Sequence, residues 1–204
     1  MKKLHRSEHS YHQRFADKAK QILHGALPEF LRHGYTRTSM DKVARSAGVS
    51  KQTLYSYYSD KDGLFTALVQ QIATDKFQLV WSQSPQGEPQ QVLKQLAQRI
   101  LTEIEDEEYL NFVRLIVAES GNRPDLSQLF LSNLCKPATE ILTQYFQTHP
   151  TLNFSDPEAT ARIFIGSLIY LMLTQEVLHG KAIMPMESDR YIDNLIELIL
   201  KSSQ

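Results

Sequence analysis

The 204-residue sequence predicts an all-α fold of about nine helices, three of them short and leading the chain. Three observations carry that prediction. Apolar residues recur at helical spacing almost everywhere, and strand-like alternation is nearly absent. The breaks between periodic stretches also hold helix stop and start residues: glycine, proline, and Ser, Asp or Thr as caps.

The elements follow in order. Phe15, Ala19, Ile22, Leu23, Ala26, Phe30 and Leu31 form one apolar stripe, closed by His33-Gly34, a good C-terminal stop. Pro28 interrupts the stripe, so a kink or a freed carbonyl is expected there. Met40, Val43, Ala44 and Ala47 lie at i, i+3, i+4 and i+7, with Thr38 or Ser39 as N-cap and Asp41 completing a box-like pattern. Gly48 stops this helix, and Ser50 caps a third that runs through about Tyr58.

A fourth helix starts at the box-like Ser59-Asp60-Lys61-Asp62 and reaches Trp81. The Pro/Gly/Gln-rich stretch 82–91 reads as a loop. Helices are expected beyond it near 90–105, 107–120, 125–148, 156–179 and 188–202, with a turn at Gly121-Asn122-Arg123-Pro124 and a bend at Pro137.

Charge divides the chain where the elements do. Residues 1–61 carry 12 Lys/Arg against 5 Asp/Glu, a surplus of seven positive charges, whereas the whole chain has a net charge of −1. A basic head on an acidic body points to a polyanion partner for the head alone. The expected organisation is a basic tail (1–13), a helix-turn-helix domain (14–61) and a larger helical domain (62–204). One cysteine, Cys135, excludes an internal disulfide framework and fits a reducing compartment. The N-terminus lacks an apolar signal core, and the longest apolar run, Ile163 to Leu173, is too short to span a bilayer. A cytoplasmic location is expected.

Two short helices joined by a tight turn at Gly48 match the helix-turn-helix pattern, whose second helix enters the major groove. Ala44 and Ala47 are small enough for close helix approach, with Val49 and Leu54 as inward anchors. Lys51, Gln52, Thr53, Tyr55, Ser56 and Tyr57 are left to point outward. Glutamine pairs bidentately with adenine and lysine favours guanine, so Lys51 and Gln52 near the helix start are candidates to reach base edges. Thr53 suits a thymine methyl or a phosphate. Tyr55 and Tyr57 offer hydroxyls to phosphates, Ser50 lies at the start of the same helix, and Thr38, Ser39 and Lys61 start the flanking helices.

The run from Gly34 to Ala44 (GYTRTSMDKVA), then Ala47 to Tyr58 (AGVSKQTLYSYY), then Lys61 to Phe65 (KDGLF), resembles the TetR family of bacterial transcription regulators. The resemblance covers about 50 residues. It implies phosphate contacts by Thr38 or Ser39, Tyr55, Tyr57 and Lys61, and base contacts by Lys51, Gln52 and Thr53. Gln52 stands where many members have glycine, so base preference does not transfer; Tyr58 stands where Phe is frequent. Phe112-Val113-Arg114-Leu115-Ile116-Val117-Ala118-Glu119-Ser120 with Arg123-Pro124-Asp125-Leu126 is similar to the C-terminal domain of the AefR-like branch, which implies an effector-binding and dimerising domain.

A symmetric dimer would set two reading helices on a near-palindromic duplex operator. The dimerisation candidates are Ile163, Ser167, Tyr170 and Thr174 on one late helix and Leu195 and Ile199 on the last, with Gly166 permitting close approach. A cavity for an apolar or aromatic small molecule is expected from Phe77, Trp81, Phe112, Ile116, Tyr170 and Met172, with Glu119 as a polar contact. Leu134, Tyr145 and Met184 add apolar bulk, and Arg114, Glu176 and His179 are further polar candidates.

Other classes have weaker support. His5, His9 and His12 share a helical face, but no Cys or carboxylate cluster completes a metal site. Lys2, Lys3 and Arg6 in the same tail suit phosphates or a minor groove. The acidic run Glu103–Glu108 reads as a solvated helix junction. No nucleophile elbow, HExxH or phosphate-cradling glycine loop occurs, so no enzyme and no cofactor are expected. A ligand carrier of the same fold without operator binding would show degraded reading-helix residues, and these are intact. The resemblance favours a repressor, because most of the family repress.

Overall fold

The computed structural model describes residues 15–103 and 106–203 in full, with backbone alone for 2–14 and 104. The tail at 1–13, including Lys2, Lys3, His5, Arg6, His9 and His12, lies outside the fully described residues. The rest is helical, with no strand among the described residues. The helices are α1 (Lys2–Arg37), α2 (Met40–Ser46), α3 (Lys51–Tyr57), α4 (Lys61–Trp81), α5 (Pro89–Ile104), α6 (Glu107–Glu119), α7 (Pro124–Phe130), α8 (Lys136–Thr148), α9 (Pro157–Met172) and α10 (Ser188–Lys201). A π-helical turn, Leu131–Cys135, joins α7 to α8 with right-handed helical backbone at both junctions, so the two make one rod. Nine rods result among the described residues. No helix there is long and apolar enough to cross a membrane.

The boundaries show which local signals the backbone obeys. Pro28 sits inside α1 with helical dihedrals and, having no amide hydrogen, frees the carbonyl four residues before it; the break in dihedrals comes at Gly34, with φ 70°. That left-handed value favours a residue without Cβ. Neither box-like pattern forms. Ser39, not Thr38, caps α2, its Oγ accepting from the Lys42 amide at 3.4 Å, so Asp41 falls one position too early to close a box. Asp60 caps α4 by accepting from the Gly63 amide at 2.7 Å. At Pro137 the helix is not regular: a π turn lies just before it, where the Lys136 amide donates to Leu131 O. Widening the turn accommodates a residue that cannot donate to the ladder.

The chain divides into two compact units at Gln71–Ile72, inside α4. The first unit packs Ile22, Ala26 and Phe30 of α1, Val43 of α2, Leu54 of α3 and Leu64 and Phe65 of α4, all essentially buried. Phe30 and Phe65 meet with ring centroids 4.6 Å apart. Its tightest point was not foreseen in the sequence. A Cβ on Gly25 would lie 2.4 Å from Ala47 Cα, so α1 and the end of α2 touch backbone to backbone. Gln21 Nε2 donates to Ala47 O at 2.7 Å beside it, satisfying a carbonyl at the α2 terminus.

The second unit buries one core from α4, α5, α6, α8, α9 and α10, including Trp81, Leu93, Leu142, Phe146, Phe164 and Ile196. Asp106 caps α6, accepting from the Glu108 and Tyr109 amides. Lys76 Nζ reaches both Asp106 and Glu103 at 3.0 Å. Burial alone would raise the Asp106 pKa, but the Lys76 ammonium and the two amides outweigh it and hold the carboxyl below its ordinary value. The acidic junction is therefore a cap and a lysine clamp as well as a solvated turn; Glu105 lies outside the described residues.

Candidate nucleic-acid interface

The site is built from the ends of short helices. Ser50 precedes α3 in extended conformation and its Oγ accepts from the Thr53 amide at 3.0 Å. This cap fixes where α3 starts and hence which side chains turn inward. Leu54 is the buried anchor of α3, while Ser50, Lys51, Gln52, Tyr55 and Ser56 are exposed and Thr53 and Tyr57 half-exposed. Val49, expected inward, is only partly buried.

Several of these groups are held before any partner arrives. Lys51 Nζ lies 2.5 Å from Asp41 Oδ2 on α2, both exposed. Such a pair contributes little stability and yields readily to a phosphate or a base. Thr53 and Ser50 hydroxyls share a hydrogen bond at 2.8 Å. The Tyr57 ring stacks on Phe15 of α1 with centroids 4.3 Å apart, which orients the ring. Gln52 and Tyr55 stand exposed on the same helix.

Two predicted contacts are turned inward. Thr38 is 3% exposed, and its hydroxyl donates to Glu29 O at 3.0 Å and Gly34 O at 2.8 Å. Lys61 Nζ donates to the carbonyls of Tyr35, Thr36 and Thr38. Ser39 remains exposed, with its hydroxyl used as the α2 cap.

In the body, the expected dimerisation residues separate. Ile163 and Tyr170 are exposed at 59% and 51%, and Ser167 and Thr174 partly so. Ser167 and Thr174 hydroxyls bond back to Ile163 O and Tyr170 O. Leu195 and Ile199 are buried in the core of their own chain, so they are not surface residues; the exposed apolar residue of α10 is Leu198, at 68%. The α10 stripe had two apolar sides, and the sequence did not show which one faces the core.

The expected effector residues also separate. Trp81, Phe112, Ile116 and Met172 are buried, Phe77 and Glu119 partly buried, and Tyr170 is exposed and so does not line an interior cavity. Met172 borders a cavity of about 50 Å³ with Leu101, Gln175, Glu176 and Met186. A larger groove of about 660 Å³ runs along α8 and the start of α9, lined by Leu131, Cys135, Thr139, Thr143 and Arg162 among others, and contains none of the expected seven. Burial pushes the Cys135 thiol up, away from the reactive thiolate. Arg114 donates to Glu176 O and Val177 O, tying α6 to the π-helical stretch Leu173–Val177 that follows α9. His179 is left-handed, with φ 57°. Among the described residues, no group of three or more His, Cys, Asp or Glu could hold a metal.

A capped reading helix in a basic head, carried with a larger helical body, defines a helix-turn-helix regulator. Residues 22–68 match the family described as "Bacterial regulatory proteins, tetR family", and residues 91–202 match "AefR-like transcriptional repressor, C-terminal domain". The chain belongs to the TetR family, with a body of the AefR-like type. It is 37% identical over 60 residues to the repressor SCO4008 of Streptomyces coelicolor, covering 29% of this chain and 31% of that one. It is 40% identical over 55 residues to the regulator RutR of Escherichia coli K12, covering 27% and 26%. The chain thus spans about a quarter to a third of the length of these curated relatives. Over nearly the whole chain it resembles a solved TetR-family regulator from Mesorhizobium loti, with TM-score 0.81, 28% identity and coverage of 92% and 97%. The flavonoid-responsive regulator FrrA gives TM-score 0.77, 28% identity and coverage of 93% and 98%. These relatives are regulators of transcription, and no enzyme stands among them.

Proposed function

We propose that this chain acts as a homodimer that binds a near-palindromic operator in duplex DNA and represses transcription there. One observation carries the reading: α3 is capped by Ser50 and anchored by Leu54, with Lys51, Gln52 and Tyr55 exposed on its outer side. In the proposed complex Lys51 exchanges Asp41 for a base edge or phosphate, Gln52 reads a base, and Thr53, Tyr55, Tyr57, Ser39 and Ser50 face the backbone. Thr38 supports this surface from inside.

The second copy is proposed to cover the exposed apolar residues Ile163 and Tyr170 of α9, Leu173 just after it and Leu198 of α10, together with the partly exposed Ser167 and Thr174. Leaving such a patch in water is unfavourable, and burying it drives association. An apolar or aromatic effector is proposed to enter among Trp81, Phe112, Ile116 and Met172, in keeping with the flavonoid response for which FrrA is named. The 50 Å³ beside Met172 holds little more than a water molecule, so entry requires these side chains to repack. That repacking gives the effector different affinities for two states, the condition for switching.

The test is fluorescence anisotropy of the purified protein on DNA from upstream of its own gene and on a scrambled duplex, at low and physiological salt. Own-site binding that survives salt while scrambled binding collapses supports an operator. Absence of binding to any duplex at low salt sinks the reading.

A further inference from the structure

The connection between α9 and α10 is firmly held, yet it turns apolar side chains to water. Ile183 is 85% exposed, and Leu178, Met184 and Met186 are exposed as well. In a loose loop such side chains would mean little, but this connection is pinned at several points. Gln175, only 5% exposed, donates from Nε2 to Met184 O at 3.0 Å and accepts at Oε1 from the Met186 amide at 3.3 Å. The Ile183 and Met184 amides both donate to Gly180 O, closing the short 3-10 turn Gly180–Ala182. Gly180 lies so close to Thr174 O that no Cβ would fit there. Lys181 pairs with Glu176 at 2.6 Å. A buried glutamine that orders exposed isoleucine and methionine makes a preformed docking element, because the ordering cost falls on folding and not on association. Methionine is also enriched at protein interfaces.

Two features of the same unit say what covers this loop. It follows directly on α9 and Leu173, whose exposed side is the one proposed above for the second copy. At the start of α9, Glu158 and Arg162 form one wall of the 660 Å³ groove along α8, which Leu131, Cys135, Thr139 and Thr143 also line. Loop and groove thus adjoin the two ends of one helix, the first projecting and the second hollow. A second copy seated on α9 can meet both.

We propose that the 178–186 loop is an arm that docks in the α8 groove of a second copy, with Ile183 as its anchor. In a two-fold pair every contact occurs twice, so one loop in each groove serves both copies. The proposal rests on the homodimer reading and adds to it a reciprocal contact away from the exposed face of α9 and α10. It also gives the α8 groove a protein occupant in place of a small molecule.

Sedimentation equilibrium on the full chain tests the arm, comparing the wild type with Ile183→Asp and with Leu79→Asp, which charges an exposed leucine of α4. Circular dichroism confirms that each variant folds. The arm predicts that Ile183→Asp raises the dimer dissociation constant on the order of a hundredfold, since the change enters twice, and Leu79→Asp by less than about threefold. Ile183 replaced by photo-reactive benzoylphenylalanine then maps the contact. Irradiation should give a covalent dimer whose crosslink lies within residues 128–162 of the other chain. An unchanged dimer in Ile183→Asp overturns the arm and leaves the homodimer standing. So does a crosslink confined to the partner's own loop or to its α10, or no crosslink in a dimer that persists. A wild type that stays monomeric throughout the concentration range refutes the homodimer reading and the arm with it.

Discussion

The head and the body of this chain use their polar residues differently. In the first unit, Gln21, Thr38, Ser39, Ser50, Asp60 and Lys61 each tie a side chain to a specific backbone amide or carbonyl at a helix end. Two of the helices there, α2 and α3, are short, with seven residues each, and they have little apolar surface to orient them. In the second unit, longer helices are oriented by one extended apolar core, and polar contacts such as Lys76 with Asp106 sit at its margin. Short elements are placed by caps and close contacts, long ones by area. The head should therefore be sensitive to small polar or steric changes, and the body to loss of apolar volume.

The largest expected effect tests the body. Phe164→Ala removes a ring that is fully buried and should cost about 3–5 kcal/mol in urea unfolding. A cost under about 1 kcal/mol would mean that the core is not what orients these helices. Next comes the head. Gly25→Ala puts a methyl 2.4 Å from Ala47 Cα and should destabilise by roughly 1–3 kcal/mol while also weakening DNA binding, because α2 must move. An Ala variant with unchanged melting and binding would show that α1 and α2 are not in such close contact.

Ser50→Ala sharpens the comparison further. Loss of the cap should cost about 1 kcal/mol and fray the start of α3, read as faster exchange of the Thr53 amide. The smallest effect belongs to a polar group in the body. Tyr145 Oη donates to Gly87 O at 2.9 Å, so Tyr145→Phe should cost about 0.5–1.5 kcal/mol at neutral pH. Burial, with a smaller push from Glu88, raises the Tyr145 pKa to about 12. A raised folded-state value means that this contribution is complete below about pH 10, the ordinary tyrosine value, and is lost as pH rises from there through about 12. Wild-type stability should fall over that window, and Tyr145→Phe should fall less. Tyr109, also raised by burial, keeps part of the alkaline loss in the variant.

How much was legible in the sequence follows the same division. The helix-turn-helix was readable because its signals are local: a glycine at Gly48, a hydroxyl cap at Ser50 and an apolar anchor at Leu54 act within a few residues. The Gly25–Ala47 approach and the Gln21 bond to Ala47 were not readable, since they join residues more than twenty positions apart. The backbone bonds of Thr38 and Lys61 were not readable for a related reason. Residue type shows that a lysine can meet a phosphate, but only the fold shows that three carbonyls already surround it. In the body, periodicity located the helices, yet Leu195, Leu198 and Ile199 look alike in sequence. Packing alone sends Leu198 outward and the other two inward. Effector residues were least legible, because buried aromatic side chains have the same pattern whether they fill a core or open to a ligand.

The most direct test of the central claim is selection of duplexes by the wild-type protein from a random-sequence pool at physiological salt. The account predicts enrichment of a near-palindrome whose half-sites are spaced by about one helical turn, or a multiple of it, to suit two copies of α3. Enrichment of a single unpaired half-site would contradict the dimer, and no enrichment at all would contradict operator reading by α3.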